Sequence, residues 1–174
     1  NFGIALKELG QLDDAINAYE KAIALDPDYA EAHNNLGIVL KKIGRVDDAI
    51  LSYEKALAIN PNDADTHNNL GIALGALERL DDAINSYEKA LAINPNYAEA
   101  FNNLGIILMK LNRLDDANKS NEKALALKSN FAEGYGVQGR ILTELKKLDE
   151  ALVSFNRVRD INPDLAYNLG TILN

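Results

Sequence analysis

Between Ala30 and Asp63 the apolar side chains fall into two helical sets. Leu36, Leu40 and Ile43 stand at i, i+4 and i+7, one face of a first helix. Gly44-Arg45 interrupts that pattern. Val46, Ala49, Ile50, Tyr53, Ala56 and Leu57 then line one face of a second helix. Asn60-Pro61 ends it, because proline disfavours helix at the residue before it. The stretch predicts a helix, a turn and a second helix. No segment alternates apolar and polar residues as a strand would.

The same pattern returns along the whole chain. Glycine falls at Gly3, Gly37, Gly71, Gly105 and Gly139, each step being 34 residues. Alanine keeps that step at Ala15, Ala49, Ala83, Ala117 and Ala151. An aromatic keeps it at Tyr19, Tyr53, Tyr87 and Phe155, with Asn121 the exception. Pro27, Pro61, Pro95 and Pro163 hold the helix-ending slot, and Ser129 takes it once. Self-similarity at a fixed period of this length marks a repeat architecture, which has to be read before any local motif.

Polar positions agree with the boundaries. Asp28…Glu31, Asn62…Asp65, Asn96…Glu99 and Asn130…Glu133 place a capping side chain three residues before an acid, the pattern of a capping box. Asp13-Asp14, Asp47-Asp48, Asp81-Asp82, Asp115-Asp116 and Asp149-Glu150 open the second helices, where the positive end of the helix dipole favours acids. Gly37, Gly71 and Gly105 lie inside helices, where glycine costs about 1 kcal/mol relative to alanine. Close approach of a neighbouring helix is expected to offset this, with Ala49 and Ala56 facing the glycine and Tyr53 filling the wider gap between repeats.

Leu36-Gly37, Ala49, Tyr53, Ala56 and Pro61, in this order and at this period, resemble the tetratricopeptide repeat (TPR) family. The resemblance implies an all-α fold, a right-handed α-solenoid of antiparallel helix pairs built from 34-residue repeats. Residues 1–174 would form a single solenoid: a partial repeat 1–29, full repeats 30–63, 64–97, 98–131 and 132–165, and a tail helix 166–174. First helices would line a concave groove for a partner peptide. "NNLG" at 34–37, 68–71 and 102–105 is similar to the asparagine-rich superhelices of O-GlcNAc transferases and microbial TPR proteins. By that resemblance Asn35, Asn69 and Asn103 form a ladder along the groove floor. A carboxamide both donates and accepts, so it can pair with the backbone of an extended peptide whatever its sequence. Asn34, Asn68 and Asn102 would add to the floor, and Ile38, Ile72 and Ile106 would be its apolar contacts. Gly75 and Ala76 leave the third repeat bare and mark a pocket for an anchoring side chain. The positions where another TPR subtype clamps a terminal carboxylate hold Asn34, Ile38, Asn69, Glu99 and Asn103, without the basic residues, so no such clamp is expected.

Composition narrows the partner. The net charge of −8 argues against a phosphate backbone and for neutral to basic protein or peptide partners. No apolar run approaches the roughly 18 residues of a membrane span. Without cysteine there is no thiolate chemistry. His33 and His67 are one repeat apart, too few ligands for a metal, and fill the bulky slot that Phe101 and Tyr135 take later. "GYGVQG" at 134–139 matches G-x-G-x-x-G, but it sits in the phase of "AHNNLG" at 32–37, within a helix and not after a strand. Asn118-Lys119-Ser120 matches a glycosylation sequon inside a predicted helix and carries no weight. With no nucleophile–base pair or phosphate loop either, neither an enzyme nor a cofactor is expected.

Breaks in the pattern carry information of their own. Asn118 and Asn121 stand where Ile84 and Tyr87 stand one repeat earlier, which predicts a weak fourth repeat with water around the amides. The tail is short by three residues before Tyr167. The chain begins at Asn1 inside a repeat and is expected to be part of a longer protein. Besides a peptide-binding scaffold, two alternatives follow: end-to-end self-association through uncapped solenoid ends, or a substrate-selecting accessory domain of a larger enzyme.

Overall fold

The computed structural model describes Gly3 and residues 10–166. Expectations for the tail helix, the shortened segment before Tyr167 and the chain start fall outside these residues. The described residues hold nine helices with both ends in view, residues 163–166 are helical as well, and there is no strand among them. The nine are α1 (Leu12–Leu25), α2 (Ala30–Lys42), α3 (Val46–Ile59), α4 (Ala64–Ala76), α5 (Leu80–Ile93), α6 (Ala98–Lys110), α7 (Leu114–Leu127), α8 (Ala132–Glu144) and α9 (Leu148–Ile161). Contacts group the chain into two compact units, Asn1–Asn94 and Pro95–Asn174. In the first, α2 pairs with α3 and α4 with α5, while α1 packs on α2 and α3 on α4. In the second, α6 pairs with α7 and α8 with α9, while α7 packs on α8. The all-α class and the hairpin of two helices per 34 residues are as the periodicity predicts.

Each second helix stops where the sequence says it should, for a reason the structure makes explicit. Asn60 is extended (φ −126°, ψ 87°), as a residue before proline must be, and its N–H still reaches Ala56 O. Asp26 Oδ1 accepts from Asp28 N at 3.2 Å across Pro27, an Asx turn that closes the connection. Lys128 adopts the same extended geometry (φ −137°, ψ 87°) although Ser129 replaces proline, so proline reinforces this turn without being required for it.

The other connection is a single left-handed residue. Gly44 has φ 84°, and Arg45 N returns to Leu40 O at 2.9 Å, the six-to-one bond of a Schellman ending. Glu78, Asn112 and Lys146 take the same turn with φ of 57°, 57° and 62°. Those three side chains occupy a conformation that costs a non-glycine residue about 1–2 kcal/mol.

Two expectations about local structure are corrected. The proposed capping boxes do not form. The N-caps of α2, α4, α6 and α8 are Tyr29, Asp63, Tyr97 and Phe131, one residue later than predicted, and of these only Asp63 caps with its side chain, to Asp65 N. The acid pairs of the second helices do lie in the first turn, but they act through charge. Arg45 pairs with Asp48 at 2.7 Å, and Arg79–Asp82 and Arg113–Asp116 repeat the arrangement. All are exposed, so each is worth a few tenths of a kcal/mol.

The helix-interior glycines are explained by an aromatic ring. A Cβ added at Gly37 would lie 2.6 Å from Tyr53 Cε1, at Gly71 2.7 Å from Tyr87 Cε1, and at Gly139 2.6 Å from Phe155 Cε1. Tyr53 therefore lies flat on Gly37 within its own hairpin and is fully buried. Gly105 is the exception that follows from Asn121. With no ring there, an added Cβ would meet Ala117 O at 3.3 Å and Asn121 Cβ at 3.6 Å.

Asn121 is fully buried and donates to Asn102 Oδ1 at 3.0 Å. Asn118 accepts from Gln138 Nε2 at 2.8 Å and donates to Glu122 Oε1 at 2.8 Å. These amides are thus bonded in part to protein groups. Their satisfaction is incomplete, since Asn121 Oδ1 and Gln138 Oε1 are buried without a hydrogen-bond partner.

Candidate functional site

The predicted groove residues lie on the first helix of each hairpin, and the structure sorts them by exposure. On α2, Asn34 and Ile38 are half-buried and Asn35 is buried. On α4, Asn69 and Ile72 are half-buried, Asn68 and Gly75 are buried, and Ala76 is exposed. On α6, Asn103 and Ile106 are half-buried and Asn102 is buried. The two asparagines of each NNLG motif therefore differ: one turns inward and one stays within reach of solvent.

In the first unit the half-buried asparagines meet. Asn69 Nδ2 donates to Asn34 Oδ1 at 3.1 Å, linking α4 to α2 across consecutive hairpins. Two carboxamides together hold four donor hydrogens and four acceptor lone pairs, and this bond uses one of each. Ile38 and Ile72 follow one helical turn further along the same face. Lys41 is half-buried beyond Ile38, and burial holds its ammonium below the usual lysine range. Asn102 plays a different part, bonded to α7 through Asn121.

The acids at the starts of the first helices differ in role. Glu31 is exposed and accepts from Tyr29 Oη at 3.4 Å. Glu99 is bound by Lys128, whose Nζ donates to Oε1 at 2.6 Å. That hydrogen bond holds the Glu99 carboxyl below its ordinary range and Lys128 above its own. Lys128 also lies 4.6 Å from the centre of the Phe131 ring. This clasp occupies the turn where the other repeats use Asx and proline.

His33 and His67 are buried, and each presents Nε2 to a carbonyl at 3.0 Å, Pro27 O and Pro61 O respectively. A carbonyl only accepts, so Nε2 carries the proton in both. They tether the preceding turn and fill the slot predicted for them. "GYGVQG" lies inside α8. An added Cβ at Gly134 would strike Phe131 Cδ1 at 2.7 Å, and Gly139 carries Phe155, so packing accounts for both glycines. Among the described residues no group of three or more His, Cys, Asp or Glu side chains converges as a metal site would require.

The second unit holds a feature that sequence reasoning missed. A hollow of about 330 Å³ opens there beside Met109 and Lys110, the counterparts one repeat later of Gly75 and Ala76. Arg140 lines it, at the 34-residue step from Ile38, Ile72 and Ile106. The signal was present in the sequence as a cation ending a row of isoleucines.

Comparison with known families is direct. Residues 3–44 and 76–112 match a family described as TPR repeat. Residues 30–63, 52–85 and 98–128 match three others described as Tetratricopeptide repeat. The matches overlap and run unbroken from 3 to 128. The chain belongs to the tetratricopeptide repeat family.

Among curated proteins no sequence match is found. Among solved structures this TPR chain is similar to MamA at 28% identity, with 96% of this chain and 98% of that one covered and a TM-score of 0.83. It is similar to YrrB, described as a TPR protein with an unusual peptide-binding site, at 26% identity, 98% and 89% coverage and a TM-score of 0.76. A thermophilic TPR protein of Thermus thermophilus is 26% identical over 99% and 95% of the two chains, with a TM-score of 0.82.

Proposed function

We propose that this TPR protein is a non-catalytic scaffold that binds an extended protein or peptide segment along the solvent-facing side of its first helices. The observation that carries this reading is the Asn69–Asn34 bond, with both carboxamides half-exposed and isoleucine beside each. Such a face offers donors and acceptors to a peptide backbone and apolar contact to alternate side chains, the division of labour seen where extended peptides are recognised. The matched family is an interaction module, and solenoids of stacked hairpins present extended surfaces to partners. Asn34, Asn69 and Asn103 are the half-buried rungs, and Asn35, Asn68 and Asn102 support them from within. The net charge of −8 favours a segment that is neutral to basic over most of its length.

The test is a library of extended peptides measured against the chain and against Asn34→Ala/Asn69→Ala. The double variant should bind about tenfold more weakly, as expected for the loss of two backbone contacts of ordinary strength, with thermal stability little changed. A photo-crosslinker at Ile72 should label the peptide, and one at exposed Glu88 on α5 should not. Undiminished binding by the double variant, or equal labelling from both positions, removes this reading.

A second reading, self-association, is favoured by one observation. Leu148 and Leu152 on α9 are 64% and 61% exposed, whereas Ile50, the counterpart of Leu152 on α3, is 4% exposed beneath α4. Light scattering of the chain and of Leu152→Lys distinguishes it. Mass that rises with concentration and falls in the variant supports stacking, and a strict monomer excludes it.

A further inference from the structure

Where α2 packs on α1 and α4 on α3, the same two phases of the repeat are apolar. The second helix brings Ile16 or Ile50 and the following first helix brings Leu36 or Leu70, all four buried. At the joint of α7 with α8 both phases change together, to Asn118 and Gln138. Gln138 is buried too, and its Nε2 donates to Asn118 Oδ1 at 2.8 Å across the joint. Asn118 is oriented from its other end, where Nδ2 donates to Glu122 Oε1 at 2.8 Å one turn along α7. Each amide suits the other and not the apolar residue that holds its partner's phase elsewhere. Gln138 set against isoleucine would keep its burial and lose its bond, which costs more than the bond itself is worth net.

We propose that the Asn118–Gln138 bond keys this joint, so that hairpin α8–α9 is accepted by α7 and disfavoured by second helices that carry isoleucine at this phase. Strength is not what the pair supplies, since Gln138 Oε1 is left buried without a partner and an apolar pair would avoid that cost. Discrimination is what it adds, and the chain offers competing surfaces. Helices α3 and α5 differ only at Val46/Leu80 and Leu51/Asn85, so an arriving first helix meets nearly the same residues on either. A mismatched amide refuses both, in the way that specific pairings are built by penalising the wrong partner. The joints of α1 with α2 and of α3 with α4 are apolar at these phases, so modules remain interchangeable there. The key is also portable. Glu54 stands four residues after Ile50, as Glu122 does after Asn118, in place to orient an asparagine put there.

The experiment compares urea midpoints of four forms: the chain, Asn118→Ile, Gln138→Leu and the double variant. The two matched joints, amide with amide and apolar with apolar, should both lie above the two mixed ones. The coupling between the sites should be about tenfold in the folding equilibrium. The same design is then moved to the joint of α3 with α4. There Ile50→Asn/Leu70→Gln should be more stable than Leu70→Gln alone by a similar factor. If Leu70→Gln alone does not fold, a folded double variant gives the same result. Additive effects at the native joint, or a mixed joint as stable as a matched one, overturn the proposal. A transplanted pair no more stable than Leu70→Gln alone overturns it as well, because the bond would then depend on surroundings particular to α7 and α8.

Discussion

Replacing Gly37 by alanine should destabilise the protein, although alanine is the better helix former. The added methyl would sit 2.6, 2.8 and 2.9 Å from three atoms of the Tyr53 ring, closer than real Cβ atoms come. Tyr53 is fully buried, so the ring has no solvent to swing into. Overpacking of this kind costs about 1–3 kcal/mol, and a three-atom clash belongs near the top of that range. The gain in helix propensity returns about 1 kcal/mol, leaving a net loss of about 2 kcal/mol. Gly105→Ala is the control inside the same molecule. Its methyl would meet Ala117 O at 3.3 Å and Asn121 Cβ at 3.6 Å, a contact relieved by a shift of a few tenths of an ångström. There the propensity gain nearly balances the strain, and the net change should stay within about 0.5 kcal/mol of zero. Urea denaturation followed by far-UV circular dichroism compares the two, and amide exchange reports whether the loss is confined to α2 and α3. A double-mutant cycle isolates the cause: in a Tyr53→Asn background, Gly37→Ala should become nearly silent. Equal losses for Gly37→Ala and Gly105→Ala, or a penalty that persists without the Tyr53 ring, would refute the ring-on-glycine account.

Other outcomes follow from the same coordinates. Tyr53→Phe should stabilise the fold by about 1 kcal/mol, because the Tyr53 hydroxyl is buried without a partner and its removal relieves a desolvated group; a loss in thermal melting would mean that a water or a shift satisfies it. Lys146→Gly should add about 0.5–1 kcal/mol by relieving a left-handed φ of 62°, read from the urea midpoint. The Glu99–Lys128 clasp lowers the folded carboxyl's pKa, so its contribution is complete above the ordinary glutamate value near 4.5 and is lost as pH falls through the depressed folded value. Both side chains are about half exposed, so the contribution stays under about 1 kcal/mol, and the stability gap between the chain and Glu99→Gln should narrow as pH falls below the ordinary glutamate value and shrink with salt. Amide exchange across α7 should be faster than across α5, since α7 buries Asn121 with one unpaired oxygen where α5 buries Tyr87; equal protection would show that the bonds of Asn118 and Asn121 compensate fully.

Most of the fold was legible because its information is periodic. Glycine, alanine and aromatic positions at one phase fix helix pairs, and Asn60-Pro61 and Gly44 mark the two kinds of turn within a residue. What the pattern concealed was which atoms meet. Asn62…Asp65 reads as a capping box, yet the helix starts at Ala64, so Asp63 is the side chain in place to cap. Gly37 and Tyr53 both stand out in the repeat, but their contact depends on ring orientation, which spacing alone does not give. Within the candidate site, the residue types on the first helices were readable, and their exposure was not. Asn34 and Asn35 are adjacent in sequence and point into different surroundings. Arg140 is visible in the sequence as a break in the isoleucine row, but nothing there shows the hollow it borders.

The sameness of α1 and α3 has a consequence for how this chain can be cut. Ala15, Ile16 and Tyr19 bury the same atoms on α1 that Ala49, Ile50 and Tyr53 bury on α3. Excising residues 30–63 would bring α4 onto α1, where it would find the surface it already knows. Excising any smaller number would turn the splice by roughly 100° for each residue left over and swing the apolar stripe of a helix outward. Length in this molecule is therefore quantised: whole modules can be lost or gained without a scar, and fractions of one cannot.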